Sequence, residues 1–188
     1  ASKVPLLVSL DGEWGLSMRL SGTTRFPKNM MLGAIENDLL IRKYGEEVAR
    51  QCKEMGIHIN FAPDLDVNSN VDNPVIGIRS FGEDPAAVAD KGIAYASGLE
   101  EGGIMAVAKH FPGHGDTSDD SHETLPVIYH SRTRLDSVEL FPFKQYIQKG
   151  FAGVMTAHLY IPALDKRKSL PSSLSERVVK GLLQDELG

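Results

Sequence analysis

The sequence is poor in cysteine and has no long apolar segment. Its single cysteine among 188 residues, Cys52, cannot form a disulfide within the chain. It lies in a helical pattern, where a free cysteine is most often a small buried residue. No apolar run approaches the ~20 residues that a membrane-spanning helix needs. We therefore expect neither a disulfide framework nor a membrane span.

Signals of nucleic-acid and nucleotide binding are also missing. The formal net charge is −5, whereas nucleic-acid-binding domains carry basic surfaces. No G-x-G-x-x-G or Walker sequence follows a predicted strand. We expect no nucleic-acid partner and no cofactor. With 41% hydrophobic and 24% charged residues, the composition is that of an ordinary globular domain.

Short apolar runs alternate with helical patterns about four times along the chain. Helical spacing of apolar residues predicts a helix over about Glu36–Met55, and Asp84 with Pro85 resembles a helix start. Such alternation predicts an α/β fold whose parallel strands are joined by helical crossovers. The four predicted strands are Pro5–Leu10, Ile57–Phe61, Gly103–Ala108 and Ala152–Thr156.

Polar clusters follow all four predicted strands. They begin at Asp11, Asp64, Lys109 and His158. Clusters after successive strands favour a (β/α)₈ barrel of the TIM type over a doubly wound sheet, which concentrates its ligands at one switch point. Four units make half of a barrel, since a full one takes ~250 residues. We expect residues 1–188 to be a partial barrel domain and the natural chain to continue at both ends.

The segment Lys109–His122 carries most of the chemistry. Its fourteen residues contain three histidines, three aspartates and one lysine. Proline and glycine at positions 112, 113 and 115 exclude a continuous helix, so we expect a loop that follows the third strand.

This segment resembles a known family signature. Lys109-His110-Phe-Pro-Gly-His-Gly, followed by Asp120-Ser-His122, is similar to the signature of the glycoside hydrolase family 3 β-N-acetylglucosaminidases. Further motifs in the family's order cover almost the whole chain: Asp11-Gly-Glu13-Trp-Gly15 with Arg19, Asn60-Phe-Ala-Pro63 with Asp66, Asn73–Gly82 and Met155-Thr-Ala-His158.

The resemblance implies a barrel enzyme that removes terminal β-linked N-acetylglucosamine, including from sugars released in peptidoglycan recycling. It implies that His122 is the acid/base and Asp120 its partner. The family's nucleophilic aspartate lies on the strand after the helix that ends at Gly188, so no residue here is assigned that role, and we expect the 188 residues alone to be inactive. The residues implied to hold the sugar are Asp11, Arg19, Arg79, Lys109 and His110.

The residue types suit these roles. An imidazole has a pKa of about 6.5, so His122 can donate and then accept a proton near neutral pH. Asp120, two residues away, can hold one ring nitrogen, although an Asp–His hydrogen bond can equally serve only to stabilise a loop. Arginine and lysine donate to sugar hydroxyls and Asp11 accepts from them, while an ion pair at the barrel rim is the alternative for each arginine.

Two other functions compete with this interpretation. His110 and His114 cannot share a helical face across Pro112, but they could join Asp116, Asp120 and His122 in a site for metal-dependent hydrolysis. A non-catalytic carbohydrate-binding module would use the same donors and acceptors. The sequence leaves open the aglycone, the choice between water and phosphate as acceptor, the cytoplasm or cell envelope as compartment, and an additional C-terminal domain.

Overall fold

The computed structural model describes residues 3–119 and 124–188. Asp120 and His122, the predicted acid/base pair, lie outside the described residues. Four strands form one parallel sheet in the sequential order β1-β2-β3-β4. Sequential parallel order with intervening helices is the arrangement of a (β/α)₈ barrel, so the fold is a partial TIM-type barrel. The strands are β1 (Ser9–Leu10), β2 (Ile59–Asn60), β3 (Met105–Phe111) and β4 (Gly153–Thr156).

Helices connect the strands and cover the outside of the sheet. They are α1 (Asn29–Gly33), α2 (Asp38–Glu54), α3 (Pro85–Glu101), α4 (Arg132–Ser137), α5 (Phe141–Ile147) and a helix with π-type hydrogen bonds over Arg177–Glu186. Short 3₁₀ turns occur at Leu16–Met18, Gly77–Arg79 and Ser172–Leu174. No helix in the described ranges has both the length and the apolar character needed to cross a bilayer.

Helix α2 has its predicted boundaries to within two residues, and α3 starts at its predicted cap. The Asn37 side chain accepts a hydrogen bond at the start of α2, and Asp84 caps α3 with Pro85 in its first turn. The helices pack closely because Gly98 has no side chain. A Cβ atom there would lie 2.1 Å from the carbonyl oxygen of Arg42 in α2. Cys52 is fully buried in this layer and unpaired, as expected.

Strand β3 is longer than the sequence predicts. The prediction placed Lys109, His110 and Phe111 in a loop, but all three belong to the strand. The backbone carbonyl of Lys109 accepts from Leu65 N at 2.7 Å, and that of Phe111 accepts from Ala157 N at 2.7 Å. Backbone hydrogen bonds to the segments on both sides therefore keep these residues in the strand, although two of them are polar. The peptide bonds Lys109–His110 and Phe111–Pro112 are cis.

Strand β1, by contrast, is shorter and less buried than predicted. Only Ser9–Leu10 is strand, and the side chains of Val4, Leu6 and Leu7 are exposed. Among the described strands β1 pairs with β2 alone. Its other edge therefore has no partner strand within residues 3–119 and 124–188.

The sequence also predicts details of the helices before and after β4. The spacing of Asp136 and Glu139 predicts a capping box, but none forms, because Asp136 lies inside α4 and Ser131 caps that helix. Pro142 predicts a break before the next helix, and α5 does start at that point.

The last helix differs from its sequence pattern. The spacing of Val179, Leu183 and Leu187 predicts an apolar stripe, but Val178 and Leu182 are the buried residues and the other three are half-buried. Hydrogen bonds of the i to i+5 type change the helical period.

Candidate active site

The ends of the four strands surround one cavity. Its volume is about 510 Å³, and all five predicted sugar-binding residues line it. They come from the segment after β1, the turn before α3 and the end of β3, so parallel strand ends bring distant parts of the sequence together. These residues are Asp11, Arg19, Arg79, Lys109 and His110, and they are joined by Glu13, Phe61, His114, Met155 and His158 among others.

Lys109 connects two carboxylates at the bottom of the cavity. Its Nζ lies 2.7 Å from Asp11 Oδ1 and 2.8 Å from Glu13 Oε1. Arg19 Nη2 lies 3.3 Å from the other oxygen of Asp11. Burial disfavours the charged form of Asp11, but the hydrogen bond and charge of Lys109, with help from Arg19, outweigh it and lower its pKa. Asp11 is therefore an ionised acceptor that remains one-third exposed.

Glu13 is completely buried and holds Arg79 in place. Arg79 donates through Nε at 3.0 Å and through Nη2 at 2.7 Å to the two carboxylate oxygens of Glu13. Burial alone would raise the pKa of Glu13, but the Arg79 hydrogen bonds and the Lys109 charge lower it. One buried anion thus orients Arg79 and Lys109, two of the three lysine and arginine side chains that line the cavity. Glu13 is not among the site residues predicted from the sequence.

Asp66 fixes the orientation of His110. Its Oδ2 lies 2.6 Å from His110 Nδ1, and its Oδ1 accepts from the backbone N–H of His114 at 2.7 Å. Burial disfavours its charged form, but the charge and hydrogen bond of His110 lower the pKa of Asp66 to about 2. An ionised Asp66 requires a proton on Nδ1. The other ring nitrogen of His110, Nε2, lies 3.3 Å from Arg79 Nη2.

Asp64 is a buried acid beside these ions. Its Oδ1 accepts from the Asp66 backbone N–H at 3.0 Å, whereas its Oδ2 has no hydrogen-bond partner within the described ranges. Burial, together with the charges of Asp66 and Glu13, raises its pKa well above the usual value. Arg79 Nη2 at 3.8 Å opposes this shift without overcoming it. Asp64 is therefore the neutral member of a cluster of carboxyl groups.

The segment that carries Asp11 is attached to the sheet and to the helices. Asn60 in β2 accepts from Gly12 N at 2.9 Å and donates to Gly12 O at 3.1 Å. The Tyr95 hydroxyl donates to the same carbonyl at 3.1 Å. Tyr44 stacks on Tyr95 with ring centroids 5.0 Å apart. Buried hydrogen bonds and stacked aromatic rings thus hold the backbone next to Asp11 in place.

Three further residues of the sequence motifs, Arg19, His114 and Trp14, differ in their exposure and in their position relative to the cavity. Arg19 is half-exposed, at 49% of its side chain, so it lies at the mouth of the cavity. His114 is buried and its Nδ1 lies 2.8 Å from Thr117 Oγ1, a contact within the loop after β3. The Trp14 ring does not line the cavity; Lys28 Nζ lies 4.9 Å from the centre of that ring.

Potential metal ligands separate into two groups. Asp64, Asp66 and His110 form the first, which is already held by the hydrogen bonds above. The second contains Asp116, His130 and Glu139. The metal site considered from the sequence joined His110 and His114 to Asp116, but among the described residues Asp116 pairs with His130 instead. Its other members, Asp120 and His122, are outside those residues.

The sequence alone contains signals for two of the missed residues. Glu13 belongs to the motif Asp11-Gly-Glu13, and Asp66 follows Asp64 at the spacing that places side chains on one face of an extended chain. Both carboxylates are completely buried, and burial is decided by distant parts of the chain. Sequence spacing could nominate them but could not show that they contact Arg79 and His110.

Comparisons with known proteins show which family the chain belongs to. The model of the glycosyl hydrolase family 3 N terminal domain matches residues 1–188. A β-hexosaminidase A of Pseudoalteromonas piscicida is 38% identical, over 100% of this chain and 34% of its own length. A solved family 3 β-N-acetylglucosaminidase from Paenibacillus sp. str. FPU-7 is 47% identical with a TM-score of 0.94, over 98% of this chain and 35% of that one.

A third relative was solved with a sugar derivative. NagZ from Neisseria gonorrhoeae, in complex with N-trifluoroacetyl-D-glucosamine, is 34% identical with a TM-score of 0.87, over 97% of this chain and 55% of that one. The chain spans about a third to a half of the length of these three relatives. It belongs to glycoside hydrolase family 3 and contains the family's N-terminal, barrel-type domain.

Proposed function

We propose that the protein containing this chain is a retaining β-N-acetylhexosaminidase that removes terminal β-linked N-acetylglucosamine. The observation that carries this proposal is the convergence of Asp11, Arg19, Arg79, Lys109 and His110 on one cavity at the ends of the strands. Enzyme names of relatives support it, since they are β-hexosaminidases and a β-N-acetylglucosaminidase. The NagZ complex with N-trifluoroacetyl-D-glucosamine supports an aminosugar in the substrate, and the family resemblance implies a muropeptide or a related glycoside.

The cavity offers matched acceptors and donors for a sugar. Each Asp11 oxygen contacts one cation, which leaves a further lone pair on each for a pair of adjacent hydroxyls. Lys109 uses two of its three donors on Asp11 and Glu13 and can direct the third into the cavity. Because Glu13 fixes Arg79 and Asp66 fixes His110, these groups need little reordering when a sugar binds.

We assign the acid/base role to His122 and the partner role to Asp120. Protonated His122 would donate to the glycosidic oxygen as it leaves, and the neutral ring would then accept a proton from water. The loop that leads to this pair is packed tightly at Gly115, where a Cβ would lie 1.7 Å from the carbonyl oxygen of Val67. No nucleophile is assigned within residues 1–188.

His122→Asn tests this assignment in the full natural chain. Loss of the acid/base should lower kcat on a chromogenic N-acetylglucosaminide by about 10²–10⁴-fold. Binding of N-acetylglucosamine, measured by calorimetry, should remain within about twofold because the sugar-holding residues are unchanged. His58→Gln replaces an exposed histidine outside the cavity and serves as the matched control.

Two results would contradict the proposal. Equal loss of turnover and binding in His122→Asn would favour simple recognition by a carbohydrate-binding module. Hydrolysis by the isolated 188 residues would contradict the assignment of the nucleophile to another part of the protein, because four strands form only half of the barrel.

A further inference from the structure

Three side chains from separate segments meet outside the sugar cavity. Asp116 lies in the loop after β3, His130 precedes α4, and Glu139 lies between α4 and α5. One potential ligand atom from each lies within 4.8 Å of the other two. None of the three lines the cavity that contains Asp11.

Glu139 is the unusual member of this cluster. Its side chain is 2% exposed, and neither carboxylate oxygen has a hydrogen-bond partner within the described ranges. Its ion-pair contact is Arg134 Nη2, 3.3 Å from Oε1. A buried carboxylate without hydrogen bonds is costly unless a cation compensates it.

The other two members complete a recognisable donor set. His130 Nε2 contacts Asp116 Oδ2, and these side chains are 34% and 22% exposed, so solvent reaches one side of the cluster. One imidazole and two carboxylates are three ligands of the types that zinc takes, with the fourth position open to water. Zinc–ligand bonds of about 2.0–2.1 Å need ligand atoms about 3.3 Å apart. His130 and Asp116 would have to move slightly apart, and small shifts of the three side chains would then satisfy that geometry.

We propose that Asp116, His130 and Glu139 form a binding site for a divalent transition-metal ion, with zinc as the favoured ion. The site connects the loop after β3 to the start of α4 and to the α4–α5 turn. Gly113, with φ of 125°, already lies against Glu139, where a Cβ would be 2.7 Å from the Glu139 Cβ. A bound ion therefore fastens this loop to the helical layer. This role is separate from glycoside hydrolysis and does not depend on it.

Zinc binding by the full natural chain tests the proposal directly. After treatment with a chelator, the protein is titrated with zinc by calorimetry, and retained zinc is counted by mass spectrometry. We expect one equivalent that His130→Gln and Glu139→Gln each weaken by at least about 100-fold, because each removes a direct ligand. His58→Gln, a change of an exposed histidine elsewhere, should leave this equivalent in place. His122→Gln should retain it as well.

Zinc anomalous scattering from crystals of the wild-type protein gives an independent test that requires no variant to fold. A peak between Asp116, His130 and Glu139 supports the site. A peak only at Asp66 and His110 or at His122, zinc retention that is unchanged in both His130→Gln and Glu139→Gln, or no binding by the wild type at micromolar zinc overturns it.

Discussion

The Nζ atom of Lys109 lies 2.7 Å from Asp11 Oδ1, although 98 residues separate the two side chains in the sequence. Lys109 is almost fully buried while Asp11 is one-third exposed, so the ion pair presents its anionic side to the cavity. A lysine placed beneath a carboxylate keeps that carboxylate ionised and limits its motion. This relationship makes Asp11 the exposed acceptor of the site.

Asp11→Asn should impair sugar recognition. The substitution removes a charged acceptor, and a hydrogen bond to a charged group contributes roughly 1.5–3 kcal/mol. We therefore expect kcat/KM for an N-acetylglucosaminide to fall by about 10–100-fold. Asp136→Asn alters an exposed ion pair with Arg132 in α4 and is the control. An unchanged kcat/KM in Asp11→Asn would show that the carboxylate does not contact substrate.

Glu13→Gln should destabilise the fold as well as the site. The amide cannot compensate the charges of Lys109 and Arg79, and breaking a buried ion pair costs about 3–5 kcal/mol. Urea unfolding of the full natural chain measures the loss. Glu54→Gln affects an exposed pair with Arg50 and should cost less than about 1 kcal/mol. Equal costs for the two variants would contradict the buried network.

Asp64→Asn and Asp66→Asn should have opposite pH dependences. Because the folded pKa of Asp64 is raised, the protonated form of this carboxyl group stabilises the fold. That contribution to the free energy of unfolding is fully present below the unfolded pKa of 3.8 and is lost as pH rises above it. Each pH unit costs up to about 1.4 kcal/mol until the folded pKa is reached. Asp64→Asn removes this loss, so its stability relative to wild type should increase with pH.

Asp66 has a folded pKa lowered to about 2, so its contribution is present above the unfolded pKa of 3.8 and is lost as pH falls towards 2. Asp66→Asn should therefore be less stable than wild type at pH 7, by an amount that shrinks between pH 4 and about 2. Urea unfolding of both variants and wild type across pH 2–8 checks the two signs. Differences that stay constant with pH would contradict the protonation states assigned to both residues.

Gly98→Ala should destabilise the packing of α2 against α3. The added Cβ would lie 2.1 Å from Arg42 O and 2.7 Å from Glu46 N, and backbone atoms cannot move aside cheaply. Overpacking of this kind costs roughly 1–3 kcal/mol or more. Gly181→Ala is the matched control, because a Cβ there meets only Glu176 O at 4.0 Å and should be neutral or stabilising. Thermal unfolding of the two variants compares them.

Local sequence signals were enough for much of the fold. Apolar runs indicated four strands, and the cap at Asp84 with Pro85 located α3 because those preferences act within a few residues. They failed for Lys109 and His110, whose polar side chains suggested a loop although neighbouring strands hold their backbone in the sheet. Pairing across the sheet is not visible in local composition.

The five residues predicted to hold the sugar follow from a family resemblance, and in the structure they line one cavity. The buried carboxylates beneath them were not among those predictions. Glu13 and Asp66 act through residues that are 66 and 44 positions away, Arg79 and His110. Only the folded chain shows which cation compensates which anion. The acid/base assignment of His122 and Asp120 stays a prediction.

The double attachment of the Gly12 carbonyl to Asn60 and Tyr95 limits how this site can be redesigned. A substitution that moves the backbone next to Asp11 would break these buried hydrogen bonds. Variants whose altered sugar specificity depends on such a movement should therefore be destabilised. The side chain of Arg19, at the mouth of the cavity, is half-exposed and is not held by buried hydrogen bonds of this kind. Engineering of altered ligand preference is best started at Arg19.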